Sequence, residues 1–477
     1  MADREYDVIV IGGGSTGENV AQRAVKGGLT AVVVEAELVG GDCSYWACMP
    51  SKALLRSPQA VEDARSVDGA RQAVTGNVDA RVTLERRTSF TEHWRDDSQV
   101  AWLNGAGIDL RRGWARLAGE KRVLVTGADG TAQTVRARQA VAVCSGSAAM
   151  LPSLPGLAEA KPWTSREATS AHQVPRRLAI IGGGAAGCEL ADAWRSLGAE
   201  EVTIFERGHR LLSRFEPFVG ERMATALQNR GIVVRTDTAV RAVRRSSSGV
   251  VIDVSSGPSI EADQLLVAAG RKPKTDDLGL EAVGLQPGTW LDVVDSCRVT
   301  GVAAGWLYAA GDVTHRALLT HMGKYQARVC GDVIAARARG DSVAVEGRPW
   351  SRFAATAERA AVPQVLFTNP EVASVGQTEA EARRAGIAVK TAEYDIGNVA
   401  GASLYADGYS GHAKLVVDDR RRVVIGATFL GPNVGELLHA ATIAVVSETP
   451  LDRLWHAVPA YPTISEIWLR LLETYGL

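Results

Sequence analysis

No apolar run in this chain approaches the roughly 18 residues that a membrane-crossing helix needs, so no membrane partner is expected. An excess of charge is missing too: 53 Lys and Arg stand against 54 Asp and Glu, a net charge of −1. Such a balance leaves no electrostatic footprint for nucleic acid or for an anionic bilayer. The opening Met1-Ala2-Asp3-Arg4-Glu5 runs straight into an apolar stretch and lacks a signal-peptide core. Cysteine is scarce, six in 477 residues, too few for a secreted disulfide framework. The cytoplasm is therefore the expected compartment, where a disulfide is more often catalytic than structural. Low-complexity tracts are absent, and no metal site is expected. What remains is a globular composition, 46% hydrophobic and 22% charged, in a chain too long for one core.

Two features stand out against this plain background. An apolar run, Val8 to Ile11, is followed by Gly12-Gly13-Gly14-Ser15-Thr16-Gly17, a helical stretch, and a second run, Ala31 to Val34, ending at Glu35. Strand, glycine turn, helix, strand and carboxylate is the arrangement that binds the ADP half of a dinucleotide. The pattern recurs about 170 residues later. Arg177 to Ile181 leads to Gly182-Gly183-Gly184-Ala185-Ala186-Gly187, a helix from Cys188 to Leu197, and a strand from Val202 to Phe205 that ends at Glu206. One glycine motif is a weak signal; two in the same context are a strong one. The glycines let a pyrophosphate reach the helix N-terminus, where free N–H groups and the dipole hold it.

The second feature is Cys43-Ser-Tyr-Trp-Ala-Cys48, followed by Met49-Pro50-Ser51-Lys52, just beyond the first motif. A dithiol beside a dinucleotide points to electrons moving between a flavin and sulfur. The thiolate is the working nucleophile, and a helix N-terminus or a nearby cation is what depresses its pKa. Sulfurs at this spacing meet only where a helix or turn lets them approach.

Elsewhere the pattern is coarser. Trp94, Trp102 and Trp114 mark a helical region and read as core. Pro152 to Pro155-Gly156 reads as a boundary, and Ala335 to Pro349 as a linker. Beyond it, strands at Pro363 to Thr368, Ala413 to Val417 and Val423 to Phe429, followed by helices, have an α+β character. Cys144, Cys188, Cys297 and Cys330 read as small buried hydrophobes.

Over nearly its whole length the chain resembles the two-dinucleotide-fold flavoprotein disulfide reductases, the class I pyridine nucleotide-disulfide oxidoreductases. That family includes dihydrolipoamide dehydrogenase, glutathione reductase and mercuric reductase. The resemblance rests on Gly40-Gly41-Asp42-Cys43 through Lys52, on Cys144-Ser145-Gly146-Ser147 and on Gly270-Arg271-Lys272-Pro273. It continues in Tyr308-Ala309-Ala310-Gly311-Asp312, Phe367-Thr368-Asn369-Pro370-Glu371 and Val375-Gly376-Gln377-Thr378. It implies an α/β chain of two Rossmann-like folds, with the nucleotide-donor fold inserted in the flavin fold, plus an α+β dimerisation domain. The implied segments are 1–152 and 273–348 for FAD, 153–272 for NADH or NADPH, and 349–477 for a homodimer interface.

The resemblance also implies roles. Cys48 faces the flavin, Cys43 meets the substrate, and Lys52, partnered by Glu189, steadies charge on the flavin. Flavin contacts are implied for Gly12, Gly14, Ser15, Thr16, Gly17, Glu35, Gly41, Ala115, Ser145, Gly146, Asp312 and Thr320, and Gly270 is an implied cofactor contact at the end of the nucleotide-donor segment. Nicotinamide-nucleotide contacts are implied for Gly182, Gly184, Gly187, Glu206 and Arg207.

Three places depart from the family. Where a His-Pro-Thr with a following Glu supplies an acid–base pair across the dimer, this chain reads Tyr461-Pro462-Thr463 with Glu466. A phenol, with a reference pKa of about 10, does not shuttle protons at neutral pH as imidazole does. His456, expected on a helix, does not take its place. Tyr45 and Trp46 stand between the cysteines where small or aliphatic residues are usual, either as packing or as a recognition surface for a bulky substrate. No cysteine pair ends the chain after Glu473-Thr474-Tyr475-Gly476-Leu477, which counts against mercuric reductase and the large thioredoxin reductases. Glu206 favours NADH, while Arg207, Arg210 and Arg214 could pair with a 2′-phosphate.

The expected activity is NAD(P)H-dependent reduction of a small disulfide through FAD and the Cys43–Cys48 pair. A flavin reductase acting on a quinone, a metal ion or a natural-product intermediate is the alternative, and a flavin-binding redox sensor a third possibility.

Overall fold

A computed structural model describes Arg4–Leu477, and the chain divides into two compact units. The first comprises the chain up to Met49, Thr88–Ala149 and Arg271–Glu358. Its centre is a seven-stranded sheet ordered Asp109–Arg112, Ala31–Glu35, Arg4–Ile11, Ala132–Val143, Arg122–Thr126, Trp114–Leu117, with Leu307–Ala309 also on Ala132–Val143. The strands on either side of Arg4–Ile11 run parallel to it, and Val8, Ile9 and Val10 are fully buried. A parallel sheet covered on both faces calls for such an unbroken apolar run.

One cover is a helix pair, Ser15–Lys26 against Thr320–Ala338. Small residues let the two backbones approach: a Cβ added at Gly331 would overlap Arg23 Cβ, and one at Gly323 would overlap the Thr16 hydroxyl. Arg23 then clamps Asp332 with two hydrogen bonds of 2.7 and 2.6 Å.

The second unit comprises Pro50–Arg87, Met150–Gly270 and Arg359–Leu477. It holds an all-parallel sheet, ordered Ile232–Arg235, Glu201–Phe205, Arg177–Ile181, Gln264–Val267, and a three-stranded antiparallel sheet from Val240 to Ala262. A five-stranded antiparallel sheet follows, ordered Gln364–Leu366, Glu371–Gly376, Val423–Gly431, His412–Asp418, Val389–Asp395. Helices Leu438–Val446 and Ile467–Tyr475 pack on it. The strand and helix positions read from the glycine motifs agree with these elements to within a few residues.

Four expectations need correction. Trp102 and Trp114 are not core: they are 40% and 67% exposed. Trp102 lies on the solvent face of helix Asp97–Gly105, whose buried side chain is Leu103, and Trp114 lies on the edge strand of its sheet. The region holding them is not wholly helical, because five strands follow that helix. The stretch from Ala335 is not all linker, since Ala335–Ala338 complete the helix Thr320–Ala338. His456 is not on a helix; it lies in an exposed turn after the short helix Leu451–Leu454.

Candidate active site

The two glycine turns are built alike. Gly12 has φ +99° and donates its N–H to the Val34 carbonyl at 2.8 Å; Gly182 has φ +111° and donates to the Phe205 carbonyl at 2.9 Å. A Cβ at either would run into a backbone carbonyl, of Cys144 or of Ala268. Gly17 and Gly187 sit against the carbonyls of Gly12 and Gly182, so the helix can follow the strand at close range. Gly14 and Gly184 differ. They cap helices Ser15–Lys26 and Ala185–Ser196, and a Cβ would meet nothing within 4 Å at Gly184 and only the Gly41 Cα at 3.8 Å at Gly14. Each turn thus leaves phosphate-sized room above a helix N-terminus. Ser15 and Thr16 open the first of these helices.

Each turn also carries its own carboxylate. Glu35 accepts N–H bonds from Gly13 at 2.6 Å and Glu37 at 2.7 Å. Glu206 accepts them from Gly183 at 2.8 Å and Gly208 at 2.7 Å. Arg210 is spent on the carbonyls of Phe215 and Ser213, so it is not free for a 2′-phosphate; Arg207 and Arg214 are exposed.

The cysteines grow directly out of the first turn. The Gly40 N–H bonds the Gly13 carbonyl at 2.8 Å, and Gly41 lies against the Gly14 backbone. Cys43 stands on helix Gly41–Tyr45 and Cys48 opens helix Cys48–Arg65. The break between them at Trp46 brings the thiols together. Cys48 Sγ is 3.2 Å from Thr320 Oγ1, at the head of helix Thr320–Ala338. The bond to Cys48 and burial push the Cys43 thiol well up, while Thr320 and the Lys324 cation pull it down.

Tyr45 and Trp46 differ in burial. Tyr45 is buried and its hydroxyl reaches the Arg95 carbonyl, whereas Trp46 is half-exposed. Around the cysteines, Arg271 donates to Asp42 at 3.0 Å and to Ser147 at 2.5 Å, and Ser147 donates to Asp312 at 2.6 Å. Sequence reasoning missed Asp42, Lys324 and this chain of bonds. An acid directly before Cys43, and a cation four residues after Thr320 on the same helix, were the available signals. Ser145 Oγ is buried without a hydrogen-bond partner, Gly146 adopts φ +75°, and Ala115 is half-buried on its strand opposite Val125.

In the second unit, Lys52 Nζ pairs with Glu189 at 2.8 Å and lies 5.2 Å from the centre of the Phe367 ring. The other Glu189 oxygen accepts the Phe367 N–H at 2.9 Å. Gly270, at φ +127°, accepts the Met150 N–H through its carbonyl. Tyr461 is 77% exposed. Glu466 is buried and bonded to Arg470 at 2.7 Å, with its second oxygen unpartnered. Among the described residues, no hydrogen bond joins Tyr461 to Glu466 within one chain.

The remaining cysteines are buried as expected, yet Cys297 and Cys330 are not isolated. With Cys144 they share one core cluster, where the bond to Cys297 and burial push the Cys330 thiol up. Among the described residues, no group of three His, Cys, Asp or Glu could hold a metal ion, and no helix is long and apolar enough to cross a membrane.

Glu18, in the first turn of helix Ser15–Lys26, is buried with one oxygen unpartnered, and burial pushes its carboxyl up to about 7. Below its ordinary value of 4.5 the carboxyl is protonated whether folded or not and costs nothing. Between about 4.5 and about 7 the unfolded chain has given up this proton while the folded chain keeps it, so stability falls across that window and is level above it. Glu18→Gln should therefore stabilise the protein in urea unfolding by roughly 2 kcal/mol more at pH 8.5 than at pH 5. An equal gain at both pH values would show that Glu18 is not the titrating group.

Buried polar atoms without partners (Ser145 Oγ, Glu18 Oε1) and open glycine turns beside held carboxylates are what a cofactor-binding chain shows when its groups fit a dinucleotide. Comparison with known proteins agrees. The family profile "Pyridine nucleotide-disulphide oxidoreductase" matches residues 6–336, and the profile of that family's dimerisation domain matches residues 362–471. The chain is 33% identical over 474 residues to dihydrolipoyl dehydrogenase 3 of Pseudomonas aeruginosa, covering 97% of this chain and 96% of that one. It is 31% identical over 469 residues to mercuric reductase of Staphylococcus aureus, covering 97% of this chain and 81% of that protein. The structure of the HOCl-induced flavoprotein disulfide reductase RclA from Escherichia coli superposes with a TM-score of 0.84 over 99% of both chains at 21% identity, a likeness of fold. This chain belongs to the pyridine nucleotide-disulphide oxidoreductases and is an enzyme of that family, using FAD and NAD(P)H.

Proposed function

We propose that the enzyme draws electrons from NADH, holds them as the Cys43–Cys48 dithiol, and delivers them from Cys43 to a small disulfide. The observation that carries this reading is the adjacency of the two thiols, joined backbone to backbone with the first glycine turn. Bound FAD would supply the two-electron relay between nicotinamide and sulfur. Gly12, Gly14, Ser15, Thr16, Gly17 and Glu35 would cradle its ADP half. Gly41, Ala115, Ser145, Gly146, Asp312 and Thr320 would contact the rest, Gly270 would contact the nicotinamide nucleotide, and Lys52, held by Glu189, would face developing negative charge. Gly182, Gly184, Gly187 and Glu206 would hold the nicotinamide nucleotide, with Arg207 at its edge.

The chain's own chemistry balances in two exchanges. The Cys43 thiol gives up its proton and its sulfur attacks one sulfur of the substrate, whose S–S bond breaks; the first thiol leaves carrying that proton, and the proton the Cys48 thiol then gives up leaves on the second. The Cys48 thiolate then attacks Cys43 sulfur, closing the Cys43–Cys48 disulfide and releasing the second thiol. Thr320, 3.2 Å from Cys48, donates to that thiolate as it forms.

The C-terminal part would make a homodimer in which Tyr461 and Glu466 of one subunit serve the other's cysteines. Exposed Val458 (84%), Tyr461 (77%) and Leu404 (70%) give that part an apolar face. A metal ion as acceptor is the second reading. It is favoured by the likeness to a mercuric reductase and by Tyr461, because reducing a metal ion releases no thiol that needs protonating.

The test is a panel of disulfides, quinones and metal ions with NADH and NADPH, run on wild type and Cys43→Ser. Turnover that depends on Cys43 with at least one disulfide supports the first reading, and Cys43-dependent turnover confined to metal ions supports the second. Turnover undiminished in Cys43→Ser would remove the dithiol from the mechanism. Glu206→Ala should weaken NADH by about tenfold and NADPH by less, because only the former loses hydrogen bonds without losing a repulsion. Equal losses in KM would count against the ribose contact.

A further inference from the structure

Dinucleotides meet parallel sheets at the C-terminal ends of the strands, and in the first unit that edge carries Gly12 and Asp312. The opposite edge of the same sheet carries a cleft of 430 Å³. Its floor is where Leu307–Ala309 joins the sheet: Tyr308 pairs with Ala142, and the Trp306 carbonyl accepts the Val141 N–H. Three cations converge on it from three separate elements: Lys121 from the turn before strand Arg122–Thr126, Arg298 from the extended segment beside Tyr308, and Arg337 from the last turn of helix Thr320–Ala338. Among the described residues, no carboxylate lines the cleft.

The cations are not used up by the protein. Among the described residues, none of the three forms an ion pair. Lys121 donates to the Arg138 carbonyl at 3.0 Å, and Arg337 donates to the Tyr308 hydroxyl at 2.8 Å. Arg298 Nε is shielded from water and has no hydrogen-bond partner, although its side chain is held in place over Gly305. Because Tyr308 accepts from Arg337, its own O–H is left to donate elsewhere. Three cations and a phenol donor, with a buried guanidinium nitrogen unsatisfied, form a donor set with no anionic acceptor among the described residues. Such a set costs free energy unless an anion completes it.

We propose that this cleft binds a small, multiply charged organic anion, of phosphate-ester or polycarboxylate chemistry, at a site separate from both dinucleotide turns. The guanidinium groups would take its oxygens in paired hydrogen bonds and Lys121 would add a point charge. The volume admits a compact metabolite, not a second dinucleotide.

The experiment is calorimetric titration of the FAD-loaded enzyme with inorganic pyrophosphate and, separately, with citrate. Saturating NAD⁺ is present throughout so that the second glycine turn is filled. One site per chain is expected for at least one probe. Arg298→Gln with Arg337→Gln should weaken it about tenfold or more, and the corresponding pair of Lys variants, which keep the charge but lose the paired hydrogen bonds, should fall between wild type and the Gln pair. Preference for pyrophosphate assigns a phosphate ester, and preference for citrate assigns a polycarboxylate. The flavin spectrum and NADH oxidation, read on every variant, establish that the chain is folded. No heat with either probe, or equal binding by wild type and the double Gln variant, would overturn the proposal.

Discussion

Serine in place of either cysteine is expected to lower disulfide turnover by about a thousandfold or more, because the two sulfurs act as one unit. The two variants should differ in their spectra. In Cys43→Ser the remaining Cys48 thiolate, steadied by Thr320 at 3.2 Å, should show long-wavelength charge-transfer absorbance with oxidised FAD without added reductant. Cys48→Ser should not. Removing Cys48 also frees the Cys43 thiol from the neighbour that pushes it up, so Cys43 should titrate lower and alkylate faster at pH 7 than in the dithiol. Identical spectra would mean that the roles of the two sulfurs are misassigned.

The second large effect is expected at Tyr461. Proton transfer by a positioned imidazole is worth about a hundredfold or more in such exchanges, and an exposed phenol cannot supply it at neutral pH. Wild-type turnover of glutathione disulfide and lipoamide should be slow. Tyr461→His should raise it by about a hundredfold near pH 7, with a rate that falls as the imidazole loses its proton at higher pH. Fast wild-type turnover with an ordinary neutral profile would show that the tyrosine is no impediment. A gain on these disulfides accompanied by a loss on another acceptor from the panel would show that Tyr461 serves that acceptor.

What could be read from the residues was whatever is local. The strand–turn–helix units around Gly12 and Gly182 were legible because steric demands within about 30 residues define them, and the structure closes both with the same bonds. Lys52 and Glu189 are 137 positions apart and were paired only through resemblance; the 2.8 Å contact shows the pairing is physical. Trp102 and Trp114 misled because aromatic character says little about which side of a helix or edge strand faces water. The cleft at Arg298 lay beyond reach for the opposite reason. Its cations come from positions 121, 298 and 337, and nothing local marks any of them as belonging together.

The carboxylate held inside each glycine turn has a consequence for how nicotinamide preference changes in evolution. Glu206 is an internal counter-ion: it occupies the amides of Gly183 and Gly208 that would otherwise solicit an anion. Deleting it would do two things at once, withdrawing the repulsion felt by a 2′-phosphate and baring two donors beside exposed Arg207. On the proposed ribose contact, specificity of this kind would be subtractive: removing one carboxylate would uncover donors that a 2′-phosphate could use. A lineage could pass between the two coenzymes by losing a single side chain, with no new contact to invent.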